Sequence, residues 1–291
     1  MVPSSWRTDF LWNGGLKPLR LVVKIGTSSL CGDDGLLIDE RVKNLASQMA
    51  WARRHHHELI VVSSGAVGAG IGRSGRQPTG VVEKQALAAI GQAYLMQAYQ
   101  RHLPEVVLAQ ILLTRQDLED PRHRANSANT LQRLLEWGAL PIVNENDTVA
   151  HEEIRIGDND TLAARVAGLI KADLLILLSD VDGLYTDDPR KIPTAEHIGM
   201  VEWVSQDLLN HHSAATGRWG TGGIRTKLLA ARITQEYGIP TVLADSSTSE
   251  VLPHLIQGDA VRATYFLSQP DTPIFGIKAN KDSGVGIISG D

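Results

Sequence analysis

Leu19-Arg-Leu-Val-Val-Lys-Ile-Gly-Thr-Ser28 is the stretch from which the fold of this chain can be deduced. Its apolar residues form a nearly continuous run, which is typical of a strand buried on both faces of a parallel sheet. Similar short runs follow at 58–62, 106–113, 140–143, 174–178 and 241–244. Stretches with helical periodicity separate them, near 39–54, 83–101, 122–137, 160–171 and 223–237. This alternation predicts an α/β fold, a three-layer αβα sandwich around a mostly parallel central sheet.

The composition indicates a globular protein of the cytoplasm. With 291 residues, of which 43% are hydrophobic, the chain can bury a large core in one domain or two lobes. It has no apolar run of about 18 residues, so we expect no membrane span, and residues 1–15 do not resemble a secretory signal. The single cysteine, Cys31, cannot form an internal disulfide, which fits a reducing compartment. The net charge of −5 argues against a nucleic-acid partner.

Small and polar residues follow nearly every predicted strand. In parallel α/β sheets, ligands bind outside the carboxyl ends of the strands. Taken singly, each group has an ordinary explanation as a turn, a helix cap or a loop start. Their coincidence at one edge of the sheet favours a site for an anionic phosphate ligand and a zwitterionic small molecule. The groups are Lys24, Ser63-Ser-Gly65, Asn144-Glu-Asn-Asp147, Gly157-Asp-Asn-Asp160 and Ser179-Asp180.

The segment Gly220-Thr-Gly-Gly-Ile-Arg-Thr-Lys227 is rich in glycine and precedes a predicted amphipathic helix. Glycines let backbone N–H groups approach an anion closely, and the start of a helix adds partial positive charge. The order of residues differs from that of a Walker A loop. Two interpretations stay open for the segment alone: a phosphate-binding loop of another kind, with Lys227 beside the anion, and an ordinary glycine-rich turn.

Two further patterns are weaker signals. Gly70-Ile-Gly-Arg-Ser-Gly75 matches the dinucleotide-binding fingerprint in its letters, but we do not expect it to open a helix directly after a strand. His55-His-His57 could suggest a metal site, yet consecutive side chains point apart on a helix, and histidine also suits a helix C-terminus. We therefore assign neither a dinucleotide nor a metal to these residues.

Taken together, these residues resemble the amino acid kinase superfamily, and within it the branch that phosphorylates glutamate. The resemblance covers about residues 19–267, with the motifs in the family's order. Asn-Glu-Asn-Asp followed by Gly-Asp-Asn-Asp separates this branch from the acetylglutamate, aspartate, carbamate and UMP kinases. The motifs are Val23-Lys-Ile-Gly-Thr-Ser28, Ser63-Ser-Gly-Ala-Val67, Leu112-Leu-Thr-Arg115, Pro141-Ile-Val-Asn-Glu-Asn-Asp147, Gly157-Asp-Asn-Asp160, Asp180-Val-Asp-Gly-Leu-Tyr-Thr-Asp-Asp-Pro-Arg190 and Thr221-Gly-Gly-Ile-Arg-Thr-Lys227.

The resemblance implies a role for each matching residue. Lys24 and Lys227 would contact the transferring phosphoryl group, and Asp160 would hold both lysines in place. Ser179 stands where the family often has threonine, which keeps the hydroxyl group. The residues expected to bind L-glutamate are Ser64, Gly65, Asp147 and Asn159. The residues expected to bind the nucleotide are Lys24, Gly26, Ser179, Asp180, Thr221, Gly222, Gly223, Ile224, Arg225, Thr226 and Lys227.

The resemblance also implies the reaction, which is ATP-dependent phosphorylation of the side-chain carboxylate of L-glutamate in proline biosynthesis. ATP would be the co-substrate, with Mg²⁺ held mainly through its phosphates and not by protein ligands. An acceptor-binding lobe at about 19–171 and a nucleotide-binding lobe at about 172–267 are expected. Residues 1–18 would form an extension, and 268–291 a tail without the PUA domain of many relatives. A dimer or tetramer and transient association with glutamyl phosphate reductase are also implied.

Two alternatives stay open. A sister kinase that acts on another acceptor, such as acetylglutamate or aspartate, would share most of these motifs. A non-catalytic sensor of an amino acid or a nucleotide would share the fold. The sensor is disfavoured because it has no need for the charges of Lys24, Lys227 and Asp160 around a phosphoryl group. The kinase hypothesis requires that the two lysines, distant in sequence, converge on one cleft.

Overall fold

A computed structural model of the chain describes residues 11–12, 15–149, 159–212, 223–268 and 287–288. The strands in these ranges are β1 Leu11–Trp12, β2 Gly15–Leu16, β3 Arg20–Ile25, β4 Glu58–Ser63, β5 Leu108–Leu113, β6 Leu140–Glu145, β7 Leu174–Ser179, β8 Leu184–Tyr185, β9 His197–Ile198, β10 Met200–Val201, β11 Thr241–Asp245, β12 Ala263–Phe266 and β13 Ile287–Ile288. The helices are α1 Thr27–Leu30, α2 Asp39–Arg54, α3 Ala66–Ser74, α4 Val81–His102, α5 Arg115–Glu119, α6 Pro121–Glu136, α7 Asn159–Ile170, α8 Gln206–His211, α9 Ile224–Glu236 and α10 Val251–Gln257.

Nine of the described strands form one central sheet, in the order β13-β10-β12-β11-β7-β3-β4-β6-β5. Every neighbouring pair from β5 to β11 is parallel. The strand β12 then pairs antiparallel with β11, so that Thr241 lies opposite Phe266. Because β3 lies between β4 and β7, the end of the first long strand falls at the centre of the parallel sheet. The predicted fold class is confirmed.

The two faces of the sheet are covered by different helices, and alternate residues of β3 point to opposite faces. Leu21 and Val23 belong to a core cluster that includes residues of α2, α4 and α10. Val22 belongs to a second cluster, with residues of α6, α7 and α9. Lys24 has the same parity as Val22, and the alternation therefore directs its side chain to the layer of α7 and α9. This placement determines which helices can supply partners for the lysine.

The six strands and five helices expected from the sequence are all present, with ends shifted by one or two residues. Sequence reasoning missed α3, whose interior glycines lower helix propensity. It also missed β12, which pairs antiparallel with β11. The predicted tail contributes β13, which pairs in parallel with β10.

The glycines of the apparent dinucleotide fingerprint have a packing role. Gly70 and Gly72 lie in the interior of α3 and Gly75 is its C-cap, so the segment does not open a helix directly after a strand, as expected from the sequence. A Cβ on Gly70 would lie 1.9 Å from the Leu87 carbonyl oxygen of α4, and one on Gly91 would lie 1.8 Å from the Ala66 carbonyl oxygen of α3. The two helices therefore touch backbone to backbone, which only glycine permits here.

The histidine run also has a structural account. The backbone N–H of Leu19 donates to Nδ1 of His57 at 3.1 Å, and His55 stacks on Trp51 with ring centroids 4.1 Å apart. Burial lowers the pKa of His57 to about 4, so the ring is neutral at physiological pH. None of the helices in the described part of the chain has the length and hydropathy that a bilayer-spanning segment needs.

Gly70→Ala should lower the free energy of unfolding by roughly 1–3 kcal/mol, because the added methyl group must push α3 away from α4. Gly72→Ala, on the same helix, is the matched control. Its Cβ would lie 3.5 Å from Leu36 Cδ2, an ordinary contact, so better helix propensity should raise stability by about 0.5–1 kcal/mol. Urea unfolding followed by circular dichroism measures both changes. Equal midpoints for the two variants would contradict the close packing of these helices.

Candidate active site

One buried carboxylate contacts two lysines that are far apart in the sequence. Oδ1 of Asp160 lies 2.5 Å from Nζ of Lys24, and Oδ2 lies 3.2 Å from Nζ of Lys227. The side chain of Asp160 has no exposed surface, and those of Lys24 and Lys227 are 5% and 7% exposed. The two ammonium groups therefore converge as the sequence hypothesis required, with the carboxylate between them.

Three elements position this triad. Lys24 is near the carboxyl end of β3, Asp160 is in the first turn of α7, and Lys227 is in the first turn of α9. A carboxylate is favoured at a helix N-terminus, but a lysine there opposes the helix dipole. The first turn of α9 contains no acidic residue, and Gly223 is its N-cap. A buried lysine beside uncapped amides is unfavourable for folding, but it suits the binding of an anion such as a phosphate.

Two further residues pack against the triad. The Thr226 hydroxyl lies 3.0 Å from Oδ2 of Asp160 and 2.7 Å from the Gly223 carbonyl oxygen, so it ties the start of α9 to the carboxylate. A Cβ on Gly26 would lie 3.6 Å from Nζ of Lys24. The glycine therefore leaves the space beside this ammonium group open.

A cavity of about 360 Å³ opens on the Lys227 side of the triad. Its walls are formed by the ends of β7 and β11, the loop after β7 and the start of α9. The cavity therefore lies at the carboxyl edge of the parallel strands. The Ser179 hydroxyl donates to Oδ1 of Asp180 at 3.1 Å on its wall. The lining residues include Ser179, Asp180, Tyr185, Arg190, Gly223, Ile224, Lys227 and Asp245.

A second cavity, of about 280 Å³, lies beside Asn159, the residue before Asp160. It is formed by the ends of β3, β4 and β6 together with the starts of α3, α4 and α7. Gly65, the N-cap of α3, has a φ of 100°, a left-handed conformation that favours glycine. The lining residues include Thr27, Ser64, Gly65, Lys84, Asn144, Glu145, Asp147 and Asn159.

A chain of amide hydrogen bonds supports the wall of this second cavity. Nδ2 of Asn159 lies 2.9 Å from Oγ of Ser64, 2.9 Å from Oδ1 of Asn144 and 3.2 Å from the Ser63 carbonyl oxygen. Asn144 donates in turn to Oε1 of Gln92 on α4 at 2.9 Å. Asn144 and Gln92 are buried. Because each amide is held by its neighbour, the position of Asn159 depends on β4, β6 and α4 together.

Asp147 is a carboxylate of this cavity whose pKa is perturbed. Burial raises its pKa to about 6, because the charged form loses hydration. Such a group is ionised at neutral pH but at a cost in free energy, and a bound cation would relieve that cost. The position therefore suits recognition of an ammonium group.

Comparison with known proteins adds a second line of support to this geometry. The family model described as "Amino acid kinase family" matches residues 19–245. The chain belongs to the amino acid kinase family. That membership agrees with the resemblance based on the motifs, and with the two cavities that flank the Lys24, Asp160 and Lys227 triad.

Curated members of the family are similar over most of this chain. A protein of Symbiobacterium thermophilum named glutamate 5-kinase is 51% identical over 248 residues, which is 83% of this chain and 94% of the relative. A glutamate 5-kinase of Caldanaerobacter subterraneus subsp. tengcongensis is 45% identical, over 85% of this chain and 68% of the relative. One of Streptococcus pneumoniae is 42% identical, over 87% and 70%.

Two solved structures share the fold at lower sequence identity. UMP kinase from Ureaplasma parvum has a TM-score of 0.58 and 16% identity, over 87% of this chain and all of that chain. UMP kinase from Bacillus anthracis has a TM-score of 0.58 and 15% identity, over 87% and 97%. These similarities concern the architecture, and the acceptor has to be inferred from the site itself.

Most of the predicted site residues line one of the two cavities or belong to the triad between them. Gly26 lies beside Lys24 and Thr226 contacts Asp160, but neither residue lines a cavity. The guanidinium of Arg225 donates to the Leu209 carbonyl oxygen at 2.8 Å and does not line either cavity. Thr221 and Gly222 lie outside the described residues. Sequence reasoning missed Gln92 and Lys84. Gln92 had a signal, because it is a polar residue on the otherwise apolar buried face of α4, whereas Lys84 had none.

Asp160→Asn should lower the free energy of unfolding by about 3–5 kcal/mol, because it removes the charge that both buried ammonium groups contact. Adding Lys24→Met to this variant should recover part of the loss, since one of the two cations is then gone. Chemical denaturation at pH 7 measures each change. Glu136→Gln is the control, because its pair with Arg133 is exposed and contributes about 0–1 kcal/mol. Equal free energies of unfolding for Asp160→Asn and Glu136→Gln would contradict a structural role for the triad.

Proposed function

We propose that this chain is a glutamate 5-kinase, which transfers the γ-phosphoryl group of ATP to the side-chain carboxylate of L-glutamate in proline biosynthesis. The observation that carries the proposal is the Lys24–Asp160–Lys227 triad between two cavities of different character. The cavity at α9 suits a nucleotide, and the cavity at Asp147 suits a small zwitterion. The curated relatives named glutamate 5-kinase support this choice of acceptor.

The nucleophile needs no general base. A glutamate side chain has a pKa near 4.3, so it is already ionised at neutral pH. One carboxylate oxygen forms a bond to the γ-phosphorus, and the bond from this phosphorus to the β–γ bridging oxygen breaks. The products are L-glutamyl 5-phosphate and ADP. The barrier is therefore electrostatic, because two anions must meet while negative charge spreads over the phosphoryl oxygens.

The chain's own contribution is positive charge held in a fixed geometry. Lys227 lines the nucleotide cavity and Lys24 lies across Asp160 from it, so the two ammonium groups can stabilise the transferring group. Asp160 touches both lysines and acts as a positioning residue. Its side chain has no exposed surface, which leaves no room for direct contact with a substrate.

Magnesium fits this site as part of the nucleotide complex. In the described part of the chain, no group of three or more His, Cys, Asp or Glu side chains could hold a metal ion by itself. Ser179, Asp180 and the start of α9 would hold the nucleotide whose phosphates carry the ion. When bound, the ion supplies further positive charge to the phosphate oxygens.

An acceptor panel tests the proposal directly. The protein is incubated with ATP, Mg²⁺ and one acceptor at a time, and acyl phosphate is trapped with hydroxylamine. We expect hydroxamate with L-glutamate and little with acetylglutamate or aspartate. Preference for either of these would instead indicate a sister kinase. Ligand-dependent thermal shifts without any ATP turnover would indicate a sensor.

Lys24→Ala and Lys227→Ala should each lower kcat by on the order of a hundredfold or more, because each removes a charge that stabilises the transition state. Lys43→Ala is the control, since this exposed lysine pairs with Glu40 on the surface of α2. Turnover is measured by hydroxamate formation at saturating ATP and L-glutamate. Near-normal kcat in either active-site variant would reject that lysine's role.

The kcat/KM for L-glutamate should fall as the pH drops through about 6, by up to tenfold per unit. Burial raises the pKa of Asp147 to about 6, so the side chain is charged above this pH and neutral below it. A neutral Asp147 no longer attracts the α-ammonium group. Initial rates between pH 5 and 8 measure the profile. Asp147→Asn should give a low kcat/KM without this acidic limb, and an unchanged limb in that variant would exclude Asp147 as its source.

Three expectations from the resemblance are kept as part of the proposal. They are a dimer or tetramer, a cytoplasmic location and transient association with the reductase that consumes the acyl phosphate. Because an acyl phosphate is labile in water, direct transfer to that reductase would limit its loss. Sedimentation of the protein alone and with the reductase, at micromolar concentrations, tests the assemblies.

A further inference from the structure

The cavity beside Asn159 contains one cationic side chain among its lining residues, Lys84. Its other charged lining residues are Glu145 and Asp147, so the cavity carries both signs of charge. Lys84 lies in the first turn of α4 and is exposed. Among the described residues, it has no ion pair. A flexible ammonium group at the cavity is therefore available to a ligand.

The position of Lys84 relative to the triad is set by α4. Gln92, two turns further along the same helix, is buried and holds Asn144. The helix thus runs from the solvent-exposed rim of the cavity at Lys84 towards its buried floor. Asn159, which lines the same cavity, precedes the fully buried Asp160. Because Lys84 is exposed and Asp160 has no exposed surface, Lys84 belongs to the solvent side of the cavity and the triad to its buried side.

An amino acid that presents its side-chain carboxylate to the triad places its α-carboxylate and α-ammonium groups towards the rim. Asp147 suits the ammonium group. Asn159 is a poor donor to the α-carboxylate, because its amide N–H groups already face three protein acceptors. The amides at the start of α3 lie next to Ser64 and Gly65, on the same side of the cavity as Asn159. At the exposed rim, Lys84 is the cationic side chain of this cavity that can complement the α-carboxylate.

We propose that Lys84 binds the α-carboxylate of the acceptor and so makes the site specific for a free α-amino acid over a simple carboxylic acid or amine. The inference rests on the proposed glutamate kinase function and deepens it. Lys84 and Asp147 then form a pair of opposite charges that reads the zwitterionic head of the substrate. An acceptor without the α-carboxylate loses only the contact with Lys84.

The test compares two ligands on the full-length protein. 4-Aminobutanoate has the reacting carboxylate and the amine of glutamate but lacks the α-carboxylate. Lys84→Met should weaken the binding of L-glutamate about 10- to 100-fold, which is the effect of losing a charge-assisted hydrogen bond. The change is measured in kcat/KM and in the Kd from calorimetry. The substitution should raise KM far more than it lowers kcat. The Kd or inhibition constant of 4-aminobutanoate should change less than twofold, and Lys84→Arg should restore part of the affinity for glutamate.

Two controls separate the possible causes. Lys43→Met removes an exposed lysine outside both cavities and should leave both ligands unaffected. Asp147→Asn should weaken the binding of 4-aminobutanoate as well as that of glutamate, because both ligands carry the ammonium group. An equal loss of affinity for the two ligands in Lys84→Met would overturn the proposal. Unchanged affinity for both ligands would also overturn it and would assign the α-carboxylate to backbone amides. If the wild-type protein binds L-glutamate without phosphorylating it, the proposed function fails instead.

Discussion

The contact between Asp160 and the ammonium groups of Lys24 and Lys227 is the interaction on which the rest of the site depends. All three side chains are almost fully buried, and a buried charge is tolerated only where it is paired. Because the partners come from β3, α7 and α9, these elements must be in place together before the site exists. The same contact brings the two positive charges to one carboxylate between the two cavities.

This arrangement explains how one small region can serve a reaction between two anions. The nucleotide cavity presents the start of α9, whose first turn has a buried lysine and no acidic residue. Both features disfavour the folded state and favour a bound phosphate. Local departures of this kind from what stabilises a helix are expected at functional sites. The carboxylate acceptor requires no activation, so the chain supplies charge and position rather than a base.

The acceptor cavity follows a different principle, because it is organised by hydrogen bonds between neutral amides. Gln92 holds Asn144, and Asn144 together with Ser64 holds Asn159. Hydrogen-bonded neutral amides can be buried without the cost of a buried charge. Charge is confined to a few residues, such as Asp147, whose raised pKa reflects its burial, and Lys84 at the rim. Hydrogen bonds between amides therefore position the buried wall, and charged groups that water can still reach would recognise the α-ammonium and α-carboxylate groups of the substrate.

The sequence by itself determined the parallel sheet, because a continuous apolar run is a property of a short segment of the chain. It also identified Lys24, Asp160 and Lys227 as candidate site residues. It could not determine that α3 and α4 touch at Gly70 and Gly91, since that contact depends on two backbones meeting. Nor could it find the hydrogen bonds of Asn159, whose partners are up to 96 positions away, or the shift in the pKa of Asp147. Only the tertiary structure decided these properties, because burial and hydrogen-bond geometry arise when distant segments pack together.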